Sequence, residues 1–407
     1  LKTQLRSSNF SAFAHPNFRL YFAGQLVSVS GTWMQTVAQG WLVFNLTQSE
    51  LLLGIIACAS GMPALLLSPF AGVIVDRFPR RSLLFVTQSA QMLLAFILSA
   101  LAFAHVVQVW HVVILAFCLG ISNAVDAPAR QAFIVDMVGR DELTSGVSMN
   151  SLMVNIARIF GPSVAGITLA QFGAAWCFFI NGVSFLAVIA SLFYIHVTHP
   201  QRNSARIAPL QQLREGLRFA RRHSRIAPLL LFAAASCLFT INVITLLPAF
   251  ADKSLHSPID GYAALATAQG VGAAIAGILF GLAAHRFGRG RVITVTAIFT
   301  PGMFLLMSPT NTVGAAVVFL GAASFGLILQ FVAINTAIQT EVDDALRGRV
   351  VSLYTLTLFG LSPFGALALG IIADTIGTPS AMALYSLLGA ALSLMIIARA
   401  PQMRSFQ

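Results

Sequence analysis

Residues 198–226 read THPQRNSARIAPLQQLREGLRFARRHSRI, and this stretch divides the chain. It holds seven arginines, Arg202, Arg206, Arg214, Arg218, Arg221, Arg222 and Arg225, against one acid, Glu215. Leu210, Leu213 and Leu217 recur at helical spacing with the arginines on the other face. That pattern predicts an amphipathic helix lying on an anionic membrane surface. On either side the chain turns apolar and stays so almost to its ends.

Composition says what kind of chain surrounds that basic stretch. Of 407 residues, 57% are hydrophobic and 9% charged, and the mean hydropathy is +0.83. Soluble globular chains carry about 25% charged residues, so a secreted enzyme, a disordered scaffold and a cytosolic domain are excluded. The apolar runs are long and continuous, which favours membrane-spanning helices over the short alternating strands of a barrel. A crossing takes about 20 residues.

Before the basic stretch, 20–49 and 51–75 give one helix each. Residues 82–125 give two, broken at His105 to His111, and 143–201 give two, split near Gly173. After it, 226–251 and 261–285 give one each, and 292–340 give two, split at Ser308-Pro309-Thr310-Asn311. Residues 350–373 and 375–398 complete the set. The expected fold is an all-α membrane protein of twelve transmembrane helices. Its expected parts are an amino-terminal six-helix bundle (1–197), a basic cytoplasmic linker (198–226) and a carboxy-terminal six-helix bundle (227–407). No cleavable leader is read from residues 1–17, which are polar and carry Lys2 and Arg6.

The net charge of +11 then reads as topology, with no need for a nucleic-acid partner. With the amino terminus in the cytoplasm, Arg77, Arg80, Arg81, Arg130, Arg140, Arg286, Arg289, Arg291, Arg347, Arg349, Arg399 and Arg404 join the linker arginines on that side. The opposite side receives only Lys253, and Arg158 lies within a span. Both termini are expected in the cytoplasm. Cys58, Cys118, Cys177 and Cys237 sit in apolar runs without ligand spacing and read as packing residues. No metal and no cofactor is implied.

The halves echo each other. Gly72-Val-Ile-Val-Asp76-Arg77-Phe78-Pro79-Arg80-Arg81 recurs as Gly281-Leu-Ala-Ala-His285-Arg286-Phe287-Gly288-Arg289-Gly290-Arg291. Gly161-Pro162 to Gly166 is echoed by Pro363 to Gly370, and Phe172-Gly173 by Ile376-Gly377. Several matches in one order point to a duplicated six-helix unit. With these motifs the chain resembles the major facilitator superfamily over essentially its whole length. Asp126-Ala-Pro128-Ala-Arg130 and Asn155-Ile-Ala-Arg158-Ile-Phe-Gly161-Pro162 look like the branch holding the enterobactin exporter and related macrolide and tetracycline efflux proteins.

The resemblance implies two six-helix bundles related by a pseudo-two-fold axis, moving a small organic substrate by alternating access. It also implies a monomer in the bacterial inner membrane and coupling to protons. It assigns a gating role to Gly72, Asp76, Arg77, Arg80 and Arg81, with Asp76 meeting the start of the eleventh span near Gly348 to Ser352. Gly72 would let helices approach closely. Asp126, read at the cytoplasmic end of the fourth span, is the carboxylate expected to pair with Arg77, and Arg130 belongs to the same group. The second copy, Gly281, Arg286 and Arg289, has His285 in place of the aspartate and is expected to be a weaker latch. A solvated basic loop that only sets topology is the plainer alternative. Gly161, Pro162 and Gly166 resemble an antiporter signature, and a kink without bearing on direction is the alternative.

The first span carries Gln25, Ser28, Thr32, Gln35 and Gln39 on one face. Thr32, Gln35 and Gln39 are candidates for a substrate cavity with Arg158, Asn242, Gln330 and Asn335. The same groups would equally serve hydrogen bonds between helices. A mid-span arginine costs at least about 2.5 kcal/mol, so Arg158 must find partners in protein or substrate. An uncharged amide and aromatic lining suits an amphipathic organic molecule. The leading functional expectation is therefore efflux of a drug or siderophore-like compound by proton antiport. An importer, or a lipid or metabolite carrier, stays open beside it. The first span lacks an acid, and only Asp126 and Asp374 are read near the membrane, both towards its edges. Asp126 with Arg130 or Arg158 is the expected titrating site. Acidic clusters and paired histidines suited to an intramembrane enzyme are missing from the sequence.

Overall fold

The computed structural model describes residues 11–139, 142–195, 217–220, 223–342 and 344–400. Six long helices come before the basic stretch: α1 (Pro16–Thr47), α2 (Glu50–Arg77), α3 (Arg80–Phe103), α4 (Val109–Val138), α5 (Leu143–Phe172) and α6 (Ala174–Tyr194). Six follow it: α7 (Ile226–Lys253), α8 (Pro258–Phe287), α9 (Arg289–Met307), α10 (Val313–Glu341), α11 (Asp344–Ile376) and α12 (Thr378–Arg399). No strand occurs among the described residues. The chain is an all-α, multi-pass membrane protein, as the apolar runs predict. The amphipathic helix expected over 198–226 lies largely outside the described residues. Within that range Leu217–Ala220 forms a helical turn whose Ala220 joins the core beside Ile226 and Leu229.

Eleven of the twelve helices are long and apolar enough to span a bilayer on those grounds alone. The twelfth, α1, has the length at 32 residues but is diluted by its polar stripe. The break expected near Gly173 falls there, whereas α4 and α11 each run on past the charge that ends their apolar run. Gly173 ends α5 at φ 85° and Gly377 ends α11 at φ 84°, a backbone region open to glycine at no steric cost. The two copies of the repeat thus stop a long helix with the same device.

The seventh span departs from the uniform helix expected. Its helical ends flank a π turn (Ser236–Thr240) and a 3-10 stretch (Ile241–Leu246). The Asn242 amide donates to the carbonyls of Cys237 (2.7 Å) and Leu238 (3.0 Å), taking over acceptors that backbone N–H groups would otherwise use. Pro248 lacks an N–H, so Ile244 O receives its bond from Leu247 instead.

The chain separates into two compact units. One comprises Leu1–Gln39 and Leu66–Arg206, the other Gly40–Leu65 and Ile207–Gln407. Phe18, Tyr21, Leu84, Phe133 and Leu192 stand in the first core. Phe232, Ile293, Ile334 and Tyr354 stand in the second. Helices α1 and α2 each change unit part-way along. The first turns of α2 pack on α11 through small residues: a Cβ at Gly54 would lie 2.6 Å from Ala366 O, and one at Gly370 2.8 Å from Glu50 O.

Candidate transport site and gating contacts

In the first unit the strongest polar cluster is built on Asp126. Helix α4 continues through Pro128 and Arg130 to Val138, so Asp126 stands about 18 Å from that end at 1.5 Å per residue. Asp126 was read at the end of the fourth span, and the structure places it well inside that helix. The apolar run was taken to end at its first charge, but the helix runs on past it. Asp126 is 2% exposed. One carboxylate oxygen accepts from Thr87 Oγ1 (2.9 Å) and Gln88 Nε2 (2.8 Å) on α3, and the other meets Arg130 Nη2 (3.2 Å) one turn later. A buried carboxylate needs such partners to stay charged. Gln88 Oε1 in turn accepts from Ser28 Oγ of α1 at 3.3 Å, which ties the cluster to the polar stripe. On the same helix, Tyr21 OH and Gln25 Oε1 are buried with no hydrogen-bond partner among the described residues.

Arg77 therefore does not meet Asp126, whose charge is matched by Arg130. Asp76 and Arg77 are exposed at the end of α2 and make no hydrogen bond or ion pair with described residues. The basic pair behind them is anchored within the first unit. Arg80 pairs with Asp136 and donates to Ala132 O (3.2 Å), both near the end of α4. Arg81 donates to the last carbonyls of α6, Leu192 O (2.6 Å) and Phe193 O (2.9 Å), and so caps a helix end. Gly72 does not serve close packing here: a Cβ at Gly72 or Gly281 meets nothing within 4 Å, because both positions are on open helix faces. In the second copy Arg289 donates to Thr340 Oγ1 (2.9 Å) and Arg286 lies over the Phe287 ring.

The α1 stripe divides its work. Gln35 is 5% exposed, and its Oε1 accepts from Asn181 Nδ2 of α6 at 2.6 Å, a contact between helices. Thr32 donates to Ser28 O within its own helix, and Gln39 is buried. Opposite, α5 comes close at Gly161, where a Cβ would lie 2.6 Å from Ser30 O. Pro162 and Gly166 follow, both buried. Arg158 is half-buried, with its guanidinium carbon 5.0 Å from the centroid of Trp33.

In the second unit the predicted polar residues gather at the broken α7. Gln330 Oε1 accepts from Ser236 Oγ (3.3 Å), while its Nε2 is buried without a partner among the described residues. Asn242 secures the break, and its Oδ1 accepts from Ser362 of α11 (3.1 Å). Its predicted role as a cavity group is thus joined by a structural one. Asn335 is half-buried and accepts from Gln339 (3.2 Å) one turn on.

A further cluster escaped the sequence reading, which looked for acids only inside apolar runs. Glu50 opens α2 and is 3% exposed. Its Oε1 takes bonds from Lys253 Nζ at the end of α7 and Thr378 Oγ1 at the start of α12, each at 2.8 Å. Lys253 also donates to Gln48 O (3.3 Å) and sits 5.5 Å over the Phe44 ring. Ser49 reaches Asp374 at 3.3 Å. The available signal was Lys253 itself, the single cation assigned to its side.

Among the described residues, twelve long helices, eleven of them apolar enough to span a bilayer, enclose buried polar clusters, as in a polytopic membrane protein. The family described as transmembrane secretion effector matches residues 7–406, and the chain belongs to this family of the major facilitator superfamily. The staphyloferrin A transporter of Staphylococcus aureus is 27% identical over 366 residues, covering 88% of this chain and 90% of that protein. Macrolide efflux protein A of Streptococcus pyogenes is 25% identical over 372 residues, covering 88% and 90%. In fold, the chain is similar to a POT family transporter solved with 5-aminolevulinic acid, with a TM-score of 0.77 and 11% identity over 96% of this chain and 97% of that one. Efflux proteins thus stand among its relatives, and the expected resemblance holds.

Proposed function

We propose that this protein exports an amphipathic organic molecule, drug or siderophore-like, by alternating access and in exchange for protons. It acts as a monomer in the bacterial inner membrane with both termini in the cytoplasm. The observation that carries the reading is the Asp126–Arg130 pair buried mid-way along α4 and joined through Gln88 to the polar stripe of α1. Protonating Asp126 removes the charge that holds Arg130. The hydrogen bonds from Thr87 and Gln88 then rearrange, and α1 feels the change through Ser28. Proton occupancy is in this way coupled to the helix that presents Thr32, Gln39 and Trp33, with Arg158 stacked on Trp33 as a polar anchor for substrate. Gln330 and Asn335 are the corresponding groups of the second unit.

Two contacts gate the cycle. The Glu50–Lys253–Thr378 cluster holds the segment Gly40–Leu65 against α7 and α12, and opening on that side requires it to part. On the arginine-rich side, Asp76 and Arg77 make no bond with described residues and are available to a moving partner.

The deciding experiment is a panel of amphipathic compounds offered to inverted membrane vesicles energised with a proton gradient. Uptake of at least one compound above vesicles lacking the protein, abolished by collapsing the gradient, is expected. Uptake that survives collapse rejects antiport, and no uptake of any compound rejects export of this substrate class.

A further inference from the structure

Two helices of the first unit present matching stripes. On α1, Tyr21, Gln25 and Ser28 stand at i, i+4 and i+7, which is one face of a helix. On α4, Asp126, Arg130 and Phe133 repeat that spacing. Ser28 reaches Asp126 through Gln88, and the Tyr21 ring meets Phe133 edge-on at 5.5 Å. These two ties make the pairing antiparallel, with Ser28 level with Asp126 and Tyr21 level with Phe133. Between the ties each helix rises about 10 Å at 1.5 Å per residue. The stripes are therefore in register, and Gln25 falls near the level of Arg130.

The polar atoms along this seam outnumber their protein partners. Tyr21 is 2% exposed and Gln25 1%, and Tyr21 OH and Gln25 Oε1 have no hydrogen-bond partner among the described residues. Arg130 carries more N–H donors than its contact with Asp126 uses. Asp126 and Arg130 are also the charges that act on the Tyr21 hydroxyl. Leaving such buried groups unbonded is costly. One molecule can answer them all if it donates to Gln25 Oε1, accepts from Arg130 and does either with Tyr21 OH. An anion has nothing to donate, and a metal cation is repelled by the guanidinium. Water meets each demand.

We infer that an internal water held by Tyr21, Gln25 and Arg130 forms, with the Tyr21 hydroxyl, the path by which protons pass between Asp126 and the arginine-rich side. The path rests on the proposal that Asp126 exchanges protons, and it supplies the route and the relaying residue. Protonated Asp126 gives its proton to the water, and the water passes one of its own to the Tyr21 oxygen. The Tyr21 hydroxyl releases its original proton towards the start of α1. Water and phenol end unchanged, one proton has left, and Asp126 remains as a carboxylate facing Arg130. Tyr21 is about 8 Å from the first residue of α1 along the axis. Asn17, one turn before it on the same face, is half-buried, so the seam approaches solvent there.

Two measurements on the full-length protein in liposomes test this. X-ray radiolysis turns bound water into hydroxyl radicals that oxidise the side chains they touch, and peptide mass spectrometry reads the product. Buried Tyr21 is expected to be oxidised in the wild type and several-fold less in Gln25→Leu. An unoxidised Tyr21 overturns the water site. Time-resolved infrared spectroscopy after photolysis of a caged proton follows the carboxyl band of Asp126, assigned by its loss in Asp126→Asn. Tyr21→Phe keeps the ring against Phe133 and should slow that band about tenfold, the weight of one hydrogen bond in a barrier, with its final amplitude unchanged. A wild-type rate in Tyr21→Phe overturns the path. An Asp126 that never changes protonation overturns the path together with Asp126 as the exchanging group. Vesicle uptake that ignores the proton gradient rejects antiport alone, and the oxidation and infrared results still uphold or overturn the path.

Discussion

Glu50 and Lys253 lie 203 positions apart in the chain and form an ion pair of 2.8 Å whose carboxylate is almost wholly buried. The pair joins the first turn of α2 to the last turn of α7, and Thr378 adds the start of α12 to it. A buried charge is held in place by its partners, and removing one leaves the other uncompensated. A contact of this kind favours one conformation strongly.

Breaking that pair should unbalance the transport cycle. Lys253→Met and Glu50→Gln are each expected to reduce vesicle transport several-fold. The charge-exchanged double variant, Glu50→Lys with Lys253→Glu, should recover part of the loss. Wild-type rates in both single variants would remove this contact from the gating scheme.

Asp126 and Arg130 should respond unequally to substitution. Arg130→Ala strands a carboxylate that is 2% exposed, and a loss of about 3 kcal/mol in stability is expected. A lowered thermal unfolding midpoint in detergent would report it. Asp126→Asn keeps hydrogen bonding with Thr87 and Gln88 and should unfold near the wild-type temperature. It should nevertheless lose proton-driven uptake while still exchanging substrate for substrate. Full proton-driven uptake in Asp126→Asn would move the coupling site elsewhere.

For Asp76, exposed in the last turn of α2, function and stability should separate. It makes no bond with described residues, so Asp76→Asn should change unfolding by no more than about 0.5 kcal/mol. Transport is expected to fall all the same. An unaffected transport rate would leave the loop as a topology signal alone.

The glycines of the two motifs should behave oppositely. Gly161→Ala places a methyl group 2.6 Å from Ser30 O, where α5 meets α1, and overpacking of this sort costs about 1–3 kcal/mol. Gly72→Ala meets open space and should be neutral, or stabilising by up to about 1 kcal/mol, through lower backbone entropy in a helix. Comparing the two unfolding midpoints checks the assignment.

Much of this protein was open to a reader of the sequence, for a physical reason. A bilayer requires each crossing to be a long apolar helix with its backbone bonds satisfied internally. Crossings can therefore be counted locally, and Gly173 and Gly377 announce their ends without reference to anything distant. The same holds for the polar face of α1, which follows from helical period alone. Membership of the family rested on short motifs whose residues are neighbours in the chain.

What the tertiary structure decided concerns partners. Periodicity shows that Gln35 faces inward, but only packing sets it against Asn181 of α6. Spacing places Asp126 and Arg130 one turn apart, yet only the tertiary structure shows that α4 runs on past them and that α3 buries the carboxylate. Arg80 and Arg81 read as a basic loop until the ends of α4 and α6 supply their acceptors. Glu50 was a loop acid until α7 and α12 closed over it. Each of these depends on contacts between residues far apart in sequence, where direction and depth are set by how helices pack, and no local pattern of residue types carries that information.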